Sequence, residues 1–246
     1  MIRWVLAVFA TALANVAAAQ TCQNLAYDGN RYTVCEADMA NADLRLFLYD
    51  PDGRIYGHFP TLSRALEGQG LDMSFAMNAG MYHEDRAPVG HYVENGQEIM
   101  RVIPNAGPGN FGMLPNGVFC IREGRADVIE TTAYLARKPA CTYATQSGPM
   151  LVIEGALHPR FLPDSTSRYI RNGVGTSADG QRVVFAISGN TVTFHDFASF
   201  FRDGLNIPNA LFLDGNISRI YAPELGRNDA GFALGPIVAL VRPAED

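Results

Sequence analysis

Lysine is nearly absent from this chain: Lys138 is the single lysine among the 19 lysine and arginine residues. Acidic residues outnumber basic ones, and the formal net charge is −6 at pH 7. Proteins that bind nucleic acid or anionic membranes usually present a basic surface, so this balance argues against both partners. Any recognition of an anion must rest on arginine, on histidine or on backbone N–H groups.

The motifs of several common enzyme classes are absent as well. The chain has no GxSxG elbow, no P-loop and no GxGxxG after a strand, which argues against the serine hydrolases, nucleotide hydrolases and dinucleotide enzymes that carry them. None of the four cysteines belongs to a CxxC pair, so zinc and thioredoxin chemistry have little support. We therefore expect no cofactor and no metal-ligand set.

A long apolar run occurs only at the N-terminus, where Arg3 precedes WVLAVFATALANVA and the small residues AAAQ. This order predicts a secretory signal peptide over residues 1–19, cleaved after Ala19, and a mature domain over residues 20–246. The alternative is an uncleaved anchor, although the run is short for a membrane span. We expect a periplasmic or secreted protein with no stable membrane span after cleavage.

The cysteines agree with export, because all four follow the predicted cleavage point and their number is even. Pairing in chain order would close two short loops, and each bridge would stabilise the fold by about 3 kcal/mol in the chain-entropy model. Three connectivities are possible, and the sequence leaves all of them open. The four residues are Cys22, Cys35, Cys120 and Cys141.

Short strands separated by glycine turns dominate the remaining sequence. Asn95-Gly96 is the strongest hairpin signal, because this pair favours the tight turn that joins two antiparallel strands. Glycine turns of the same kind stand at Glu123-Gly124, Glu154-Gly155 and Asp179-Gly180.

One segment near the C-terminal end is typical of an outer helix. Phe194, Phe197 and Phe201 recur at helical spacing, and Thr193 with Asp196 matches a capping box. The apolar run NALFL follows and suggests a strand in the middle of a sheet. The sequence therefore predicts the α+β class, as a single domain with a mixed, mostly antiparallel sheet built of hairpins and helices packed outside.

Three apolar strands end in small and polar residues, and a fourth segment begins with arginine. Turn chemistry explains each of these alone. Together they predict a site, because binding residues collect on loops that a rigid sheet positions. The four places are Asn78-Ala79-Gly80, Gln146-Ser147-Gly148-Pro149, Asp214-Gly215 and Arg171 ahead of Gly173.

These places carry a resemblance to a known family. The stretches MNAGMY, QSGPMLVIEG, RNGVGTSADGQRVVFAIS and NALFLDGNIS resemble, in this order, the phosphodiester glycosidase domain. The similarity covers about Leu71 to Val241, and two turns depart from the family pattern, at Arg171-Asn172-Gly173 and at Asn216-Ile217 before Ser218. The resemblance implies an exported hydrolase that cleaves a sugar-1-phosphodiester, or a related envelope glycan, at the anomeric bond.

The resemblance also implies roles for individual residues. Arg171 would hold the phosphate, since guanidinium binds this group bidentately, and backbone amides near Gly148 and Gly215 would add donors. Asp214 would stabilise positive charge on the sugar or activate water. The catalytic residues are thus expected to be Asp214 and Arg171. The expected substrate-binding set is Asn78, Gly80, His83, Glu84, Gln146, Ser147, Gly148, Gly215, Asn216 and Ser218.

Some assignments stay open. The loop MYHEDRAPVGHY places His83, Glu84, Asp85 and His91 together, either as acid–base or metal groups or as a polar surface loop. Arg219 lines the rim of a pocket or caps the next element. The partner is a small-molecule or glycan substrate with a phosphodiester, and the alternative function is a non-catalytic periplasmic glycan- or phosphoglycan-binding module.

Overall fold

A computed structural model describes residues 20–214 and 217–244. The expected signal peptide, residues 1–19, lies outside the described residues, as do Gly215 and Asn216. In chain order the strands are β1 (Gln20–Tyr27), β2 (Asn30–Asp38), β3 (Asp43–Phe47), β4 (Leu71–Asn78), β5 (Tyr92–Glu94), β6 (Gln97–Met100), β7 (Gly117–Arg122), β8 (Arg125–Glu130), β9 (Tyr143–Ser147), β10 (Met150–Ile153), β11 (Ala156–Leu157), β12 (Asn172–Thr176), β13 (Arg182–Ser188), β14 (Asn209–Phe212), β15 (Ile220–Ala222), β16 (Arg227–Asn228) and β17 (Ile237–Pro243).

The helices are short and fewer than the strands. They are α1 (Phe59–Glu67), α2 (Thr131–Arg137) and α3 (Phe194–Ser199), which continues into a π-helical turn over Phe200–Gly204, and a 3-10 turn over Pro223–Leu225. The capping box predicted for α3 is confirmed, because Thr193 accepts from the Asp196 N–H and Asp196 accepts from the Thr193 N–H. Its phenylalanines Phe197 and Phe201 are buried.

The strands form three sheets. A seven-stranded sheet runs β1-β2-β13-β12-β14-β10-β11, and two five-stranded sheets run β16-β15-β4-β17-β3 and β6-β5-β9-β7-β8. Every strand pair within the described residues is antiparallel. The α+β class built of antiparallel hairpins is thus confirmed, with its strands divided among three sheets.

The three sheets surround one apolar cluster. Side chains from each sheet meet there, including Phe185 of β13, Phe75 of β4 and Phe119 of β7, all fully buried. The helices cover outer faces: α3 packs on the seven-stranded sheet and α1 on the sheet that contains β17. β14 lies between β12 and β10, which confirms the expected central strand.

The cysteines form two disulfides, Cys22–Cys35 and Cys120–Cys141. Cys22 and Cys35 are direct cross-strand partners in the β1–β2 hairpin. The second bridge ties β7 to the segment just before β9. Pairing is therefore sequential, which is one of the three connectivities that the sequence allows.

Candidate functional site

Two asparagines join different sheets beneath the loop that carries Asp214. Asn78 ends β4 and Asn172 begins β12, and both side chains are fully buried. The Nδ2 group of Asn172 donates to Oδ1 of Asn78. Oδ1 of Asn172 in turn accepts from the backbone N–H of Asp214 at 3.1 Å. Chain segments that are distant in sequence therefore converge on Asp214.

Two serines fix the backbone around Asp214. The hydroxyl of Ser147 donates to the Leu213 carbonyl at 2.7 Å, and Ser147 is fully buried. The hydroxyl of Ser218 lies 3.1 Å from the Asp214 carbonyl and 3.2 Å from the Ile170 carbonyl. The structure therefore places both predicted serines beside Asp214, where they bond to the main chain.

Asp214 lines a cavity of about 510 Å³. This volume lies in the range that accommodates a small ligand. Asp214 is half-buried, and its carboxylate contributes, after burial, to raising the pKa of Tyr82. The remaining wall is largely apolar, so a carboxylate faces a partly desolvated space. The lining consists of Met81, Tyr82, Val89, Pro108, Gly109, Asn110, Phe111, Asp214 and Ile217.

Arg171 occupies a different environment. Its guanidinium stacks 3.6 Å from the ring centre of Phe194, and it donates to the Val192 carbonyl at 3.0 Å and the Ser167 carbonyl at 3.1 Å. Only 1% of the residue is exposed, and this burial lowers its pKa to about 10. Arg171 is not in the lining of the Asp214 cavity.

The alternation of side chains along a strand explains this placement. Neighbouring residues of an extended chain point to opposite faces. Asn172 reaches Asn78 and Asp214, so Arg171, the residue before it, turns toward Phe194 on the face covered by α3. Asn172 was not among the predicted site residues, although an asparagine that opens an apolar strand is a usable signal. The phosphate-binding role of Arg171 stays a prediction.

Gln146 uses its whole amide inside the protein. Its Oε1 accepts from the N–H groups of His91 at 3.1 Å and Ile103 at 3.0 Å. Its Nε2 donates to the Ile103 carbonyl at 2.8 Å and to Thr131 Oγ1 at 3.2 Å. These four bonds are the full capacity of a primary amide. Gln146 thus connects β9 to neighbouring segments, and substrate contact by its side chain remains a prediction.

The glycines predicted for the site sit where the backbone has close neighbours. Gly80 has φ +143, and a Cβ there would lie 2.8 Å from Thr145 Oγ1. A Cβ on Gly148 would lie 2.7 Å from the Cβ of Asn116, and Gly148 is buried. Packing therefore accounts for glycine at both positions. Gly215 and Asn216 lie outside the described residues.

The histidine-containing loop divides into an exposed part and a buried part. His83 and Glu84 are exposed on a turn in which the His83 N–H bonds to the Ala87 carbonyl at 2.9 Å. They directly follow Met81 and Tyr82 in the chain but do not line the Asp214 cavity. His91 is buried, with its ring nitrogens 2.9 Å from the Met100 carbonyl and 2.9 Å from the Tyr134 hydroxyl, and burial lowers its pKa. Of the two readings of this loop, the surface turn describes residues 83–85, and His91 belongs to the interior.

Residues 20–214 and 217–244 contain no group of three or more His, Cys, Asp or Glu side chains arranged to hold a metal ion. No helix in the same ranges is long and apolar enough to cross a membrane.

The chain is similar to several known proteins. Residues 72–231 match the family described as phosphodiester glycosidase. The uncharacterized protein YigE of Escherichia coli strain K12 is 36% identical over 178 residues, which cover 72% of this chain and 69% of YigE. The range that matches the family, residues 72–231, includes Asn78, Asn172 and Asp214.

Solved structures share the fold at low sequence identity. The zebrafish N-acetylglucosamine-1-phosphodiester alpha-N-acetylglucosaminidase catalytic domain, auto-inhibited by its pro-peptide, superimposes with a TM-score of 0.60 and 13% identity, over 92% of this chain and 82% of the zebrafish chain. A hypothetical protein from Synechocystis gives a TM-score of 0.59 and 12% identity, over 89% of this chain and 61% of the other. At such identities the likeness shows the fold alone.

Proposed function

Since the chain belongs to the phosphodiester glycosidase family, we propose that it is an exported hydrolase of sugar-1-phosphodiesters or of a related envelope glycan. The observation that carries the proposal is the position of Asp214, which follows a central strand, lies in the family-matched region and faces a cavity of ligand size. Two disulfides support export, because such bridges persist in oxidising compartments.

In the proposed reaction, the bond between the anomeric carbon and the phosphate oxygen breaks. Water supplies a hydroxyl group to the anomeric carbon, and its proton passes to the Asp214 carboxylate or to solvent. The phosphate monoester leaves with the bonding electron pair, and it is a good leaving group that needs little protonation. The carboxylate also stabilises the positive charge that develops on the sugar ring.

The other residues at the site have positioning roles in this proposal. The Asn78–Asn172 pair and the serine hydroxyls of Ser147 and Ser218 fix the backbone from which Asp214 projects. Fixing the backbone matters because displacing a reacting group by about 1 Å lowers rates by roughly a hundredfold. Arg171 donates to the carbonyls of Ser167 and Val192, and these bonds hold the chain just before Asn172 in place.

The second candidate is a glycan- or phosphoglycan-binding module without catalysis. It is favoured by the internal use of Gln146 and Ser147, whose side-chain hydrogen bonds are made to the protein itself. A cavity with one carboxylate and apolar walls would bind a sugar without cutting it. Turnover separates the two candidates.

The deciding experiment measures hydrolysis of aryl sugar-1-phosphodiesters by the purified protein. We expect turnover by the unaltered chain and a loss of at least about a thousandfold in Asp214→Asn, because the amide neither accepts the proton nor carries charge. Asp52→Asn is a matched control, since the Asp52 side chain is 70% exposed and lies on a turn of its own. Both variants should keep the melting temperature of the unaltered protein.

Full activity in Asp214→Asn would remove Asp214 from the mechanism. Binding of a sugar phosphodiester with no turnover by the unaltered protein would favour the module instead.

A further inference from the structure

A second cavity, of about 350 Å³, lies at the N-terminal end of α1. Its lining includes His58, Pro60 and Thr61 from the start of that helix, together with Arg219 and Gly231. A hydrogen bond links the walls of the two cavities. The hydroxyl of Tyr82, in the wall of the first, donates at 3.2 Å to the carbonyl of Ala233, which lies between the second cavity's lining residues Gly231 and Leu234.

Arg219 brings a buried positive charge to this cavity. Only 8% of Arg219 is exposed, and its Nη1 donates to the Phe232 carbonyl. Within residues 20–214 and 217–244 its guanidinium pairs with no carboxylate, and its Nε and Nη2 groups donate to no protein acceptor. A buried guanidinium without a counter-charge is unfavourable, and burial accordingly lowers the pKa of Arg219.

The acidic residue of the lining does not cancel this charge. Asp229 is held by Arg227, whose Nε and Nη2 lie 3.0 and 2.9 Å from its oxygens, and it also accepts from the Ile220 N–H at 3.1 Å. Because Arg227 engages the carboxylate of Asp229, the Arg219 guanidinium has no direct carboxylate partner among the described residues. An anionic ligand would supply that partner.

The cavity is constructed around the Arg219 side chain. Gly231 has φ +147, a conformation that residues with a side chain rarely adopt, and a Cβ at that position would lie 2.4 Å from Nη2 of Arg219. At the other end of the residue, the Arg219 N–H donates to Oδ1 of Asn78 at 2.9 Å. The guanidinium is therefore held in place before any ligand arrives.

The start of α1 adds a partial charge of the same sign. α1 has nine residues, and His58 at its N-cap makes no side-chain capping bond. The N-terminus of a helix carries a partial positive charge that favours phosphate. Free N–H donors are few here, because Pro60 has no N–H and the Thr61 and Leu62 N–H groups both bond to the His58 carbonyl. The Thr61 side chain brings a hydroxyl to the same wall.

We propose that this cavity is a phosphate-binding subsite, in which the Arg219 guanidinium binds a phosphate group of the ligand and the partial positive charge at the start of α1 favours it. The link to a sugar phosphodiester rests on the proposed function, whereas the binding of phosphate does not. The phosphate of the substrate and a free phosphate offer the same tetrahedral oxyanion to the guanidinium. The experiment separates these two sources.

Titration calorimetry with inorganic phosphate at low ionic strength tests the subsite directly. We expect the unaltered protein to bind with a dissociation constant of about 1 mM or tighter. Arg219→Gln should weaken binding by at least about tenfold. Arg219→Lys should retain part of the binding, since an ammonium keeps the positive charge but cannot donate two parallel hydrogen bonds to phosphate as a guanidinium does. Arg64→Gln is the matched control, because Arg64 is an exposed arginine of α1 outside the cavity.

A measurement on the unaltered protein covers the case in which the variants fail to fold. Phosphate should shift the NMR signal of the Arg219 Nε–H group, assigned in the unaltered protein by its correlations to the carbons of the same side chain. An unshifted signal at saturating phosphate, no binding of phosphate at all, or equal affinity in folded Arg219→Gln overturns the subsite.

Turnover assays distinguish whether the subsite binds the phosphate of the diester or free phosphate. Competitive inhibition by inorganic phosphate, with KM raised and kcat unchanged, assigns the subsite to the phosphate of the diester; noncompetitive inhibition assigns it to free phosphate. Diester hydrolysis without Arg219-dependent phosphate binding overturns the subsite and leaves the proposed function standing. Arg219-dependent phosphate binding without any diester hydrolysis supports the subsite and overturns the proposed function.

Discussion

The amide of Asn172 makes two contacts that decide the geometry at Asp214. It donates to Asn78 and accepts from the Asp214 N–H, while Arg171, one residue earlier, lies against Phe194. A shift of one residue along an extended chain changes the face to which a side chain points. Asn172 therefore faces Asp214 and Arg171 faces Phe194 because neighbouring side chains of an extended chain point to opposite sides.

His158 gives a pH prediction at the same scale. The ring is buried, stacks 4.7 Å from Phe161, and accepts from the Arg160 N–H. Burial lowers its pKa from 6.5 to about 4. As pH falls from about 6.5 to about 4, the unfolded chain binds a proton here and the folded chain does not, so this residue should cost roughly 2–3 kcal/mol of stability over that window.

Urea unfolding at pH 7 and pH 4 measures this loss. In His158→Gln the decrease between the two pH values should be smaller than in the unaltered protein. His83→Gln, at an exposed histidine, should leave the decrease unchanged. An identical pH dependence in His158→Gln and the unaltered protein would contradict the assignment.

The two strand glycines of β12 let α3 approach the seven-stranded sheet. A Cβ on Gly175 would lie 2.5 Å from Cγ2 of Ile207 and 3.0 Å from Phe201, both in the chain that follows α3. A Cβ on Gly173 would lie 3.3 Å from Phe197 of α3 and 2.8 Å from the Leu211 carbonyl of β14. Glycine in a strand interior often marks such a close approach. The absence of side chains at Gly173 and Gly175 therefore lets α3 and the chain after it pack closely on β12.

Gly175→Ala should destabilise the protein by about 1–3 kcal/mol, because the added methyl group forces the α3 region away from β12. The control is Gly107→Ala, where the nearest atom to an added Cβ is 3.9 Å away and φ is not positive. Denaturant midpoints report both effects. A stability equal to that of the control would mean that the helix moves at no cost.

How far the sequence predicts these elements depends on the range of the interactions involved. The capping box of α3 and the hairpin at Asn95-Gly96 are local, and both are present in the structure. α2 was not predicted: it spans seven residues and starts directly after β8, with its cap supplied by Glu130. The partners of Gln146 and Arg171 come from segments up to 55 residues away, and no local pattern records such contacts.

At the scale of the whole molecule, three sheets share one apolar cluster and two covalent bridges lie at its margins. Cys22–Cys35 closes the edge hairpin of the seven-stranded sheet, and Cys120–Cys141 belongs to the sheet that contains β7. The asparagine pair joins the sheets that contain β4 and β12. Stability therefore depends on links both within and between sheets.

Reduction of the disulfides should lower the stability of the entire domain. The closed loops have sequence separations of 13 and 21 residues, and each bridge should contribute about 3 kcal/mol by restricting the unfolded chain. Unfolding curves with and without a thiol reductant measure the sum, and Cys22→Ala/Cys35→Ala measures the edge hairpin alone. A reductant that leaves the midpoint unchanged in a fully reduced sample would contradict this expectation.

The backbone at Asp214 and the facing cavity wall are built from different kinds of segment, which offers a route to engineering. Its backbone is held by buried amides and hydroxyls, whereas Pro108, Gly109 and Asn110 in the wall of the first cavity belong to a loop outside every helix and strand. A combinatorial library confined to that loop would vary the shape and polarity of the cavity wall while the backbone that carries Asp214 keeps its hydrogen bonds. Selection for altered ligand binding can thus begin from a protein whose buried core is unchanged.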